Sequence, residues 1–311
     1  MDPHILITGV SGLLGSNLAW HFKELRRVAG AYCTHSVAIP GVETFGINLL
    51  NYPETRALLL KLRPEVVIHC ASRTDVDRIE EEEEGGWQAN VLATRVLLDA
   101  LRDLGAKFVH ISTDSVYSGL EGPYDEGMET APCNWYGKTK LDSETLVSQR
   151  SGSLILRTNL YGWNIQNKKS LAEWFLDRLQ TGQPTMGFSD AQFSSIYTFL
   201  LAEIIEKCLK RNLIGIYNCA CRDSWSKYEF GRNIAAVFGL DPEKVLPASL
   251  DDVDLKAKRG KDLRLDVTRL ENRLGERLPT MSDSIGRLHQ DWETGIPREI
   301  KKGGGGEISA R

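Results

Sequence analysis

The 311-residue chain lacks an excess of positive charge: 38 Lys and Arg stand against 42 Asp and Glu, a formal net charge of -4. Such a balance exerts no general pull on phosphodiester backbones or anionic lipid, so no nucleic-acid partner is expected. Long apolar runs are missing too. No stretch approaches the roughly 20 residues a bilayer-spanning helix needs, and Met1-Asp2-Pro3-His4 opens without the basic region and apolar core of a secretion signal. The expectation is no membrane association and a cytoplasmic location. Cysteine is sparse: Cys33, Cys70, Cys133, Cys208, Cys219 and Cys221 include no CxxC pair and no spacing with histidine that would build a zinc site. No metal is predicted, and Cys219-Ala220-Cys221 reads as two reduced strand residues. Internal repeats are absent.

What remains is a globular composition, 41% hydrophobic and 26% charged, with enough apolar side chains for one large or two interleaved domains. The first half alternates β-rich runs with helical patterns. His4 to Thr8, Val28 to Cys33, Glu65 to Cys70, Lys107 to Ser112 and Ser153 to Arg157 suit strands buried on both faces. Helices are expected over 13–26, 53–62, 86–104 and 136–149. This predicts an α/β fold, a Rossmann-like doubly wound parallel sheet over residues 1–158. A smaller α/β substrate lobe, interleaved with the first domain, is expected over 159–300. It carries helices near 169–180, 197–211 and 226–238 and a strand at Ile214 to Asn218. Residues 301–311, with four consecutive glycines, read as a flexible tail. The acidic run Glu80 to Glu84 reads as a solvated loop feeding a helix amino terminus.

Thr8-Gly9-Val10-Ser11-Gly12-Leu13-Leu14-Gly15 follows the first strand and opens the first helix. Gly9 suits the tight turn, Gly12 leaves room for a pyrophosphate, and Gly15 allows close helix–strand packing, with helix-start amides facing the phosphates. The choice of dinucleotide rests on the end of the second strand, where a carboxylate would grip a ribose 2′-hydroxyl. None occurs from Leu25 to Val42, while Thr34, His35 and Ser36 offer donors. NADPH is therefore the expected cofactor, with NADH as the alternative.

Tyr136-Gly137-Lys138-Thr139-Lys140 places a phenol and an ammonium on one helix face, where Lys140 is expected to depress the Tyr136 pKa. The spacing is common by itself. Here it accompanies Ser112-Thr113-Asp114 at the end of a long strand, where doubly wound sheets bind ligands. Thr113 would hydrogen-bond a reacting carbonyl oxygen while Tyr136 protonates it.

Together with His69-Cys70-Ala71-Ser72-Arg73-Thr74-Asp75-Val76-Asp77, Asn90-Val91, Ser112 to Gly119, Gly122-Pro123-Tyr124, Asn134 to Lys140, Leu156-Arg157-Thr158 and Asp190 to Tyr197, these segments carry a resemblance. Nearly end to end the chain resembles the extended short-chain dehydrogenase/reductases, within them the dTDP-4-dehydrorhamnose reductases and sugar-nucleotide-binding relatives. The resemblance implies a catalytic set of Thr113, Tyr136 and Lys140. It also implies cofactor contacts from Gly9, Ser11, Gly12, Leu13, Leu14, Gly15, Thr34, His35, Ser36, Asn48, Leu49, Cys70, Ala71, Ser72, Thr74, Asn90, Tyr136 and Lys140. The implied reaction is NADPH-dependent reduction of a 4-keto sugar nucleotide, as in dTDP-rhamnose formation. A homodimer is compatible with it. The chain departs from the related 4,6-dehydratases, which carry Asp-Glu after the catalytic Thr where this chain has Asp114-Ser115. Asn48 stands where relatives often hold Asp, and Gly260 replaces the proline of an Arg-Pro segment. A regulatory subunit without turnover, like the methionine adenosyltransferase regulatory subunit, and an epimerase are the alternatives.

For the substrate, Lys256 to Arg264 holds five basic residues against one acidic. It reads either as an attractor for a sugar-nucleotide diphosphate or as a solvated basic loop. Trp135 and Trp163 could stack on a sugar or base face or serve as core and lid aromatics.

Overall fold

A computed structural model describes residues 4–304. The first half runs β1 (Ile5–Thr8), α1 (Leu13–Phe22), β2 (Val28–Tyr32), β3 (Glu43–Gly46), α2 (Tyr52–Leu62), β4 (Val66–His69), α3 (Val76–Glu81), α4 (Glu83–Trp87), α5 (Ala93–Ala100), β5 (Lys107–Thr113), α6 (Trp135–Ser148) and β6 (Leu154–Thr158). Seven strands form a parallel sheet in the order Gly215–Asn218, β6, β5, β4, β1, β2, β3. The near-continuous apolar runs follow from burial on both faces. Ile5, Ile7, Val109 and Ile111 pack with Leu18 and Phe22 of α1. Leu6, Val67 and Phe108 pack with Leu59, Leu97 and Val147 on the other side. After β1 the chain builds outward through β2 and β3, then returns to place β4 on the opposite flank of β1. That reversal opens a crevice at the carboxyl ends of β1 and β4.

β3 carries no apolar run, being a half-exposed edge strand, and so left no signal in the sequence. The first helix stops at Phe22 rather than residue 26. The helix expected over 86–104 is split into α4, a π-helical turn at Gln88–Leu92, and α5, which ends at Ala100. The acidic run is helical instead of a loop: Glu80 and Glu81 close α3, and Glu83 and Glu84 open α4, where negative charge suits the helix dipole.

Beyond Asn159 come helices Leu171–Gln180, Thr198–Lys210 and Lys227–Val237, then three more ending in Ile296–Lys302, with short strand pairs between them. The two halves interlock, because Gly215–Asn218 joins the central sheet beside β6 and Thr198–Lys210 packs on α1. The expected tail begins too early: Lys301 and Lys302 are helical, and the Gly303 carbonyl accepts from the Ala38 amide at 2.8 Å. Residues 305–311 lie outside the described residues. Among the described residues no helix is long and apolar enough to cross a membrane.

Candidate active site

Gly9 leaves β1 with φ +70°, and a Cβ there would lie 2.7 Å from the Ala71 amide nitrogen. A Cβ on Gly15 would lie 2.2 Å from the Gly9 carbonyl oxygen. Glycine at both positions lets α1 start directly against β1 and β4. Gly12 is the N-cap and supplies no side-chain cap, so the amides of Leu13, Leu14 and Gly15 face the crevice with no capping oxygen. An uncapped helix start at a sheet switch point is the arrangement a pyrophosphate needs, and the dinucleotide fits this chain. Ser11 lies in the same turn. Thr34, His35 and Ser36 are exposed just past β2, with Thr34 Oγ1 2.8 Å from His35 Nδ1. No carboxylate lies among them. Asn48 and Leu49 follow β3; Asn48 Oδ1 accepts from the Leu50 amide at 3.0 Å.

Cys70, Ala71, Ser72 and Thr74 line the loop after β4, on the opposite wall. Asn90, expected as a cofactor contact, instead spends its amide within the protein. Its Oδ1 accepts from the Arg73 amide (2.7 Å) and Ser72 Oγ (2.9 Å), and its Nδ2 donates to Arg73 O (3.1 Å) and Thr139 Oγ1 (2.9 Å). Asn90 sits in the π-helical turn and clamps the loop to α6. Asn90→Ala is expected to raise the cofactor Kd about tenfold by releasing that loop, with a smaller loss in kcat, as read by fluorescence titration and steady-state kinetics.

β5 delivers Thr113 to the crevice. Asn134 caps α6 by accepting from the Gly137 amide at 2.9 Å. A Cβ on Gly137 would lie 2.2 Å from Ser115 O, so glycine here lets the helix start close over the turn that follows β5. The result brings the Tyr136 phenol near the Thr113 hydroxyl, which itself donates to Asp114 Oδ1 at 3.0 Å. Lys140 lies one turn along, its Nζ donating to Ile111 O at 2.7 Å with His110 Nε2 3.4 Å away.

The electrostatics correct one expectation. Burial pushes the Tyr136 phenol up to about 12; the Thr113 hydroxyl draws it back and Asp114 adds to the rise. The neighbouring charge acting on the phenol is Asp114 rather than Lys140, because the ammonium is turned to the backbone of β5. Lys140 is itself lowered to about 8 by burial, against the raising influence of Glu144 and Cys70. Asp114 is buried and accepts from Asn159 Nδ2 (2.8 Å), Thr113 Oγ1 (3.0 Å) and Ser115 Oγ (3.2 Å). Burial raises its carboxyl, and those three hydrogen bonds and Lys227 oppose the rise.

The sequence matches the family described as RmlD substrate binding domain over residues 3–293. The chain belongs to this family. Its curated relatives include "Methionine adenosyltransferase 2 subunit beta" of Xenopus laevis, 31% identical over 284 residues, 88% of this chain and 84% of that protein. "Probable low-salt glycan biosynthesis reductase Agl14" of Haloferax volcanii is 28% identical over 291 residues, 92% and 97% of the two chains. Among solved structures, the dTDP-4-dehydrorhamnose reductase of Bacillus anthracis in complex with NADP superposes with a TM-score of 0.83 at 26% identity. It covers 94% of this chain and 100% of that one.

On the substrate side of this RmlD-family fold, the basic segment is mostly neutralised. Lys256 faces Glu81 (3.7 Å), Arg259 pairs with Asp77 (2.8 Å), Lys261 with Asp251 (2.5 Å) and Asp190 (2.9 Å), and Arg264 with Asp262 (2.6 Å). The segment is a strap tying the second lobe to α3 and α6, with the Lys258 carbonyl taking a hydrogen bond from Asn134 Nδ2 at 2.8 Å. Arg259 thus has a structural partner, and Gly260 packs face to face on Gly119 where a side chain has no room. Trp163 is core: it is buried edge-on to Phe238 at 6.3 Å. Trp135 is half-buried, with the Lys138 ammonium 4.0 Å from its ring centre. The pairing of Asp77 with Arg259 and the approach of Lys227 to Asp114 join distant segments and leave no local signal in the sequence.

Proposed function

We propose that the chain is an NADPH-dependent reductase of a 4-keto sugar carried on a nucleoside diphosphate. The observation that carries this reading is the meeting of Thr113, Tyr136 and Lys140 at the carboxyl end of β5, beside the uncapped start of α1. In this reading the Thr113 hydroxyl orients the carbonyl oxygen and the Tyr136 phenol, neutral throughout the physiological range, gives it a proton. Bound dihydronicotinamide supplies the hydride to the carbonyl carbon. The buried ammonium of Lys140, held on Ile111 O, keeps a positive charge beneath the end of β5. The reductase names of relatives support the assignment, as does Ser115, which leaves no second carboxylate beside Asp114 for eliminating water.

The test is a panel of dTDP-, UDP- and GDP-linked 4-keto sugars with NADPH, followed at the absorbance band of the reduced nicotinamide. Stoichiometric oxidation with one of them is expected; product without net oxidation would identify an epimerase instead. NADPH is expected to bind about tenfold tighter than NADH, because no carboxylate lies past β2 to repel a 2′-phosphate. Titration with each cofactor measures the ratio. A second reading, a regulatory subunit, is favoured by the 31% identity to a methionine adenosyltransferase subunit. Tight NADPH binding, no oxidation of any keto sugar, and copurification with a methionine adenosyltransferase would select it.

A further inference from the structure

We propose that His110 is a positioning residue for Lys140, its neutral imidazole accepting a hydrogen bond from the lysine ammonium and keeping it charged and turned toward the end of β5. This rests on the reading of Lys140 as part of a reductase site.

His110 lies on β5, is 1% exposed, and sits under α6. Its Nδ1 has no hydrogen-bond partner among the described residues. A phenylalanine or leucine would fill the same space without stranding a polar atom, so the ring's own hydrogen bonding does not explain a histidine here. Among the described residues the polar group it meets is Lys140 Nζ at 3.4 Å from Nε2. A buried ammonium has three protons to place. Ile111 O takes one at 2.7 Å, His110 Nε2 is the second acceptor, and the third proton is left for the crevice.

The surroundings hold His110 neutral. Burial first, then Lys140 and His69, lower its pKa well below the ordinary histidine value. His69, tilted against it at 33° with ring centres 5.6 Å apart, has its own tautomer set by its neighbours. The Thr94 hydroxyl donates to Asn90 O at 2.6 Å, so it receives the His69 Nε2 proton at 3.0 Å. His69 Nδ1 then accepts from the Thr8 hydroxyl at 2.7 Å. His69 is a fixed neutral support, itself lowered to about 3. The other titratable groups facing Lys140 are His69 and Cys70 at the end of β4 and Glu144 on its own helix. Glu144 is engaged by Arg157 of β6 and by Ser112, so its charge is largely committed elsewhere. Beside the Ile111 carbonyl and the raising influence of Glu144 and Cys70, a neutral acceptor at His110 also favours the charged lysine.

The test uses the whole protein in two ways. In the cofactor-free state, NMR titration of the Lys140 ammonium should show its midpoint about one pH unit lower in His110→Phe, which removes the acceptor. His110→Gln, whose carbonyl oxygen still accepts, should stay near wild type. With NADPH and a turned-over keto sugar, the alkaline limb of kcat should move down by the same amount in His110→Phe and be restored in His110→Gln, with KM little changed. An unmoved Lys140 midpoint in a folded His110→Phe protein overturns the proposal. If the Lys140 midpoint moves as expected in the cofactor-free protein but no keto sugar is turned over with NADPH, the reductase reading fails while the contact stands. Should His110→Phe not fold, His110→Leu replaces it against the same glutamine control.

Discussion

Tyr136→Phe is expected to lower kcat by about 10²–10⁴-fold while leaving NADPH affinity within a factor of about two. In the proposed mechanism the phenol hands a proton to an oxygen held by Thr113. Burial holds it near 12, so it stays protonated at every working pH. That suits the reductive direction, in which the first demand on the residue is a proton, and it makes the enzyme a poorer catalyst of the reverse oxidation. The ring itself packs at the start of α6 and survives in phenylalanine, which is why folding and cofactor binding should persist. Full turnover in the variant, with unfolding midpoint and NADPH titration matching wild type, would remove Tyr136 from the chemistry.

The largest effect on stability is expected at Arg157. Its guanidinium grips Glu144 through Nε (3.1 and 3.2 Å to the two oxygens) and through a second nitrogen at 2.7 Å, while a third nitrogen donates to the Tyr117 hydroxyl at 2.8 Å. Both partners are almost wholly buried, and Ser112 Oγ closes on Glu144 at 2.5 Å. Arg157→Met strands a carboxylate in the interior and should cost about 3–5 kcal/mol of unfolding free energy. Arg157→Met combined with Glu144→Leu removes both charges and should recover most of the loss, because a well-packed apolar pair avoids the desolvation penalty. Denaturant melts of wild type, the two single variants and the double give the coupling directly; a single-variant cost below about 1 kcal/mol would show the pair is not a mainstay of the fold. Since Ser112 precedes Thr113, the single variant should also reduce kcat beyond what its folded fraction explains.

Local pattern accounts for much of the site. Each strand of the first half that is buried on both faces announced itself as an apolar run, and β3, exposed at the sheet edge, did not. The phosphate loop is legible because three backbone demands in eight residues leave only glycine as a solution at Gly9 and Gly15. The spacing of Tyr136 and Lys140 follows from helix geometry alone. How their charges would act does not, since that depends on which carbonyl or ring lies under α6, and Ile111 O and His110 are brought there by sheet packing.

The second half shows the reverse balance. Lys256 to Arg264 looks like a phosphate attractor in isolation, yet Glu81, Asp77, Asp190 and Asp251 reach three of its charges from positions 10 to about 180 residues away. Asn90 is recognisable from its surroundings in the chain, but its work as a clamp on Ser72 and Arg73 depends on a π-helical turn that no periodicity marks. By itself the sequence determined the parallel α/β scaffold, the uncapped phosphate-binding turn and the identity of the hydroxyl, phenol and amine, because these rest on interactions within a few residues. The tertiary structure alone decided which charges remain free, which way Lys140 turns and how far burial moves Tyr136, because Coulomb forces and desolvation act through space between segments the chain order keeps apart.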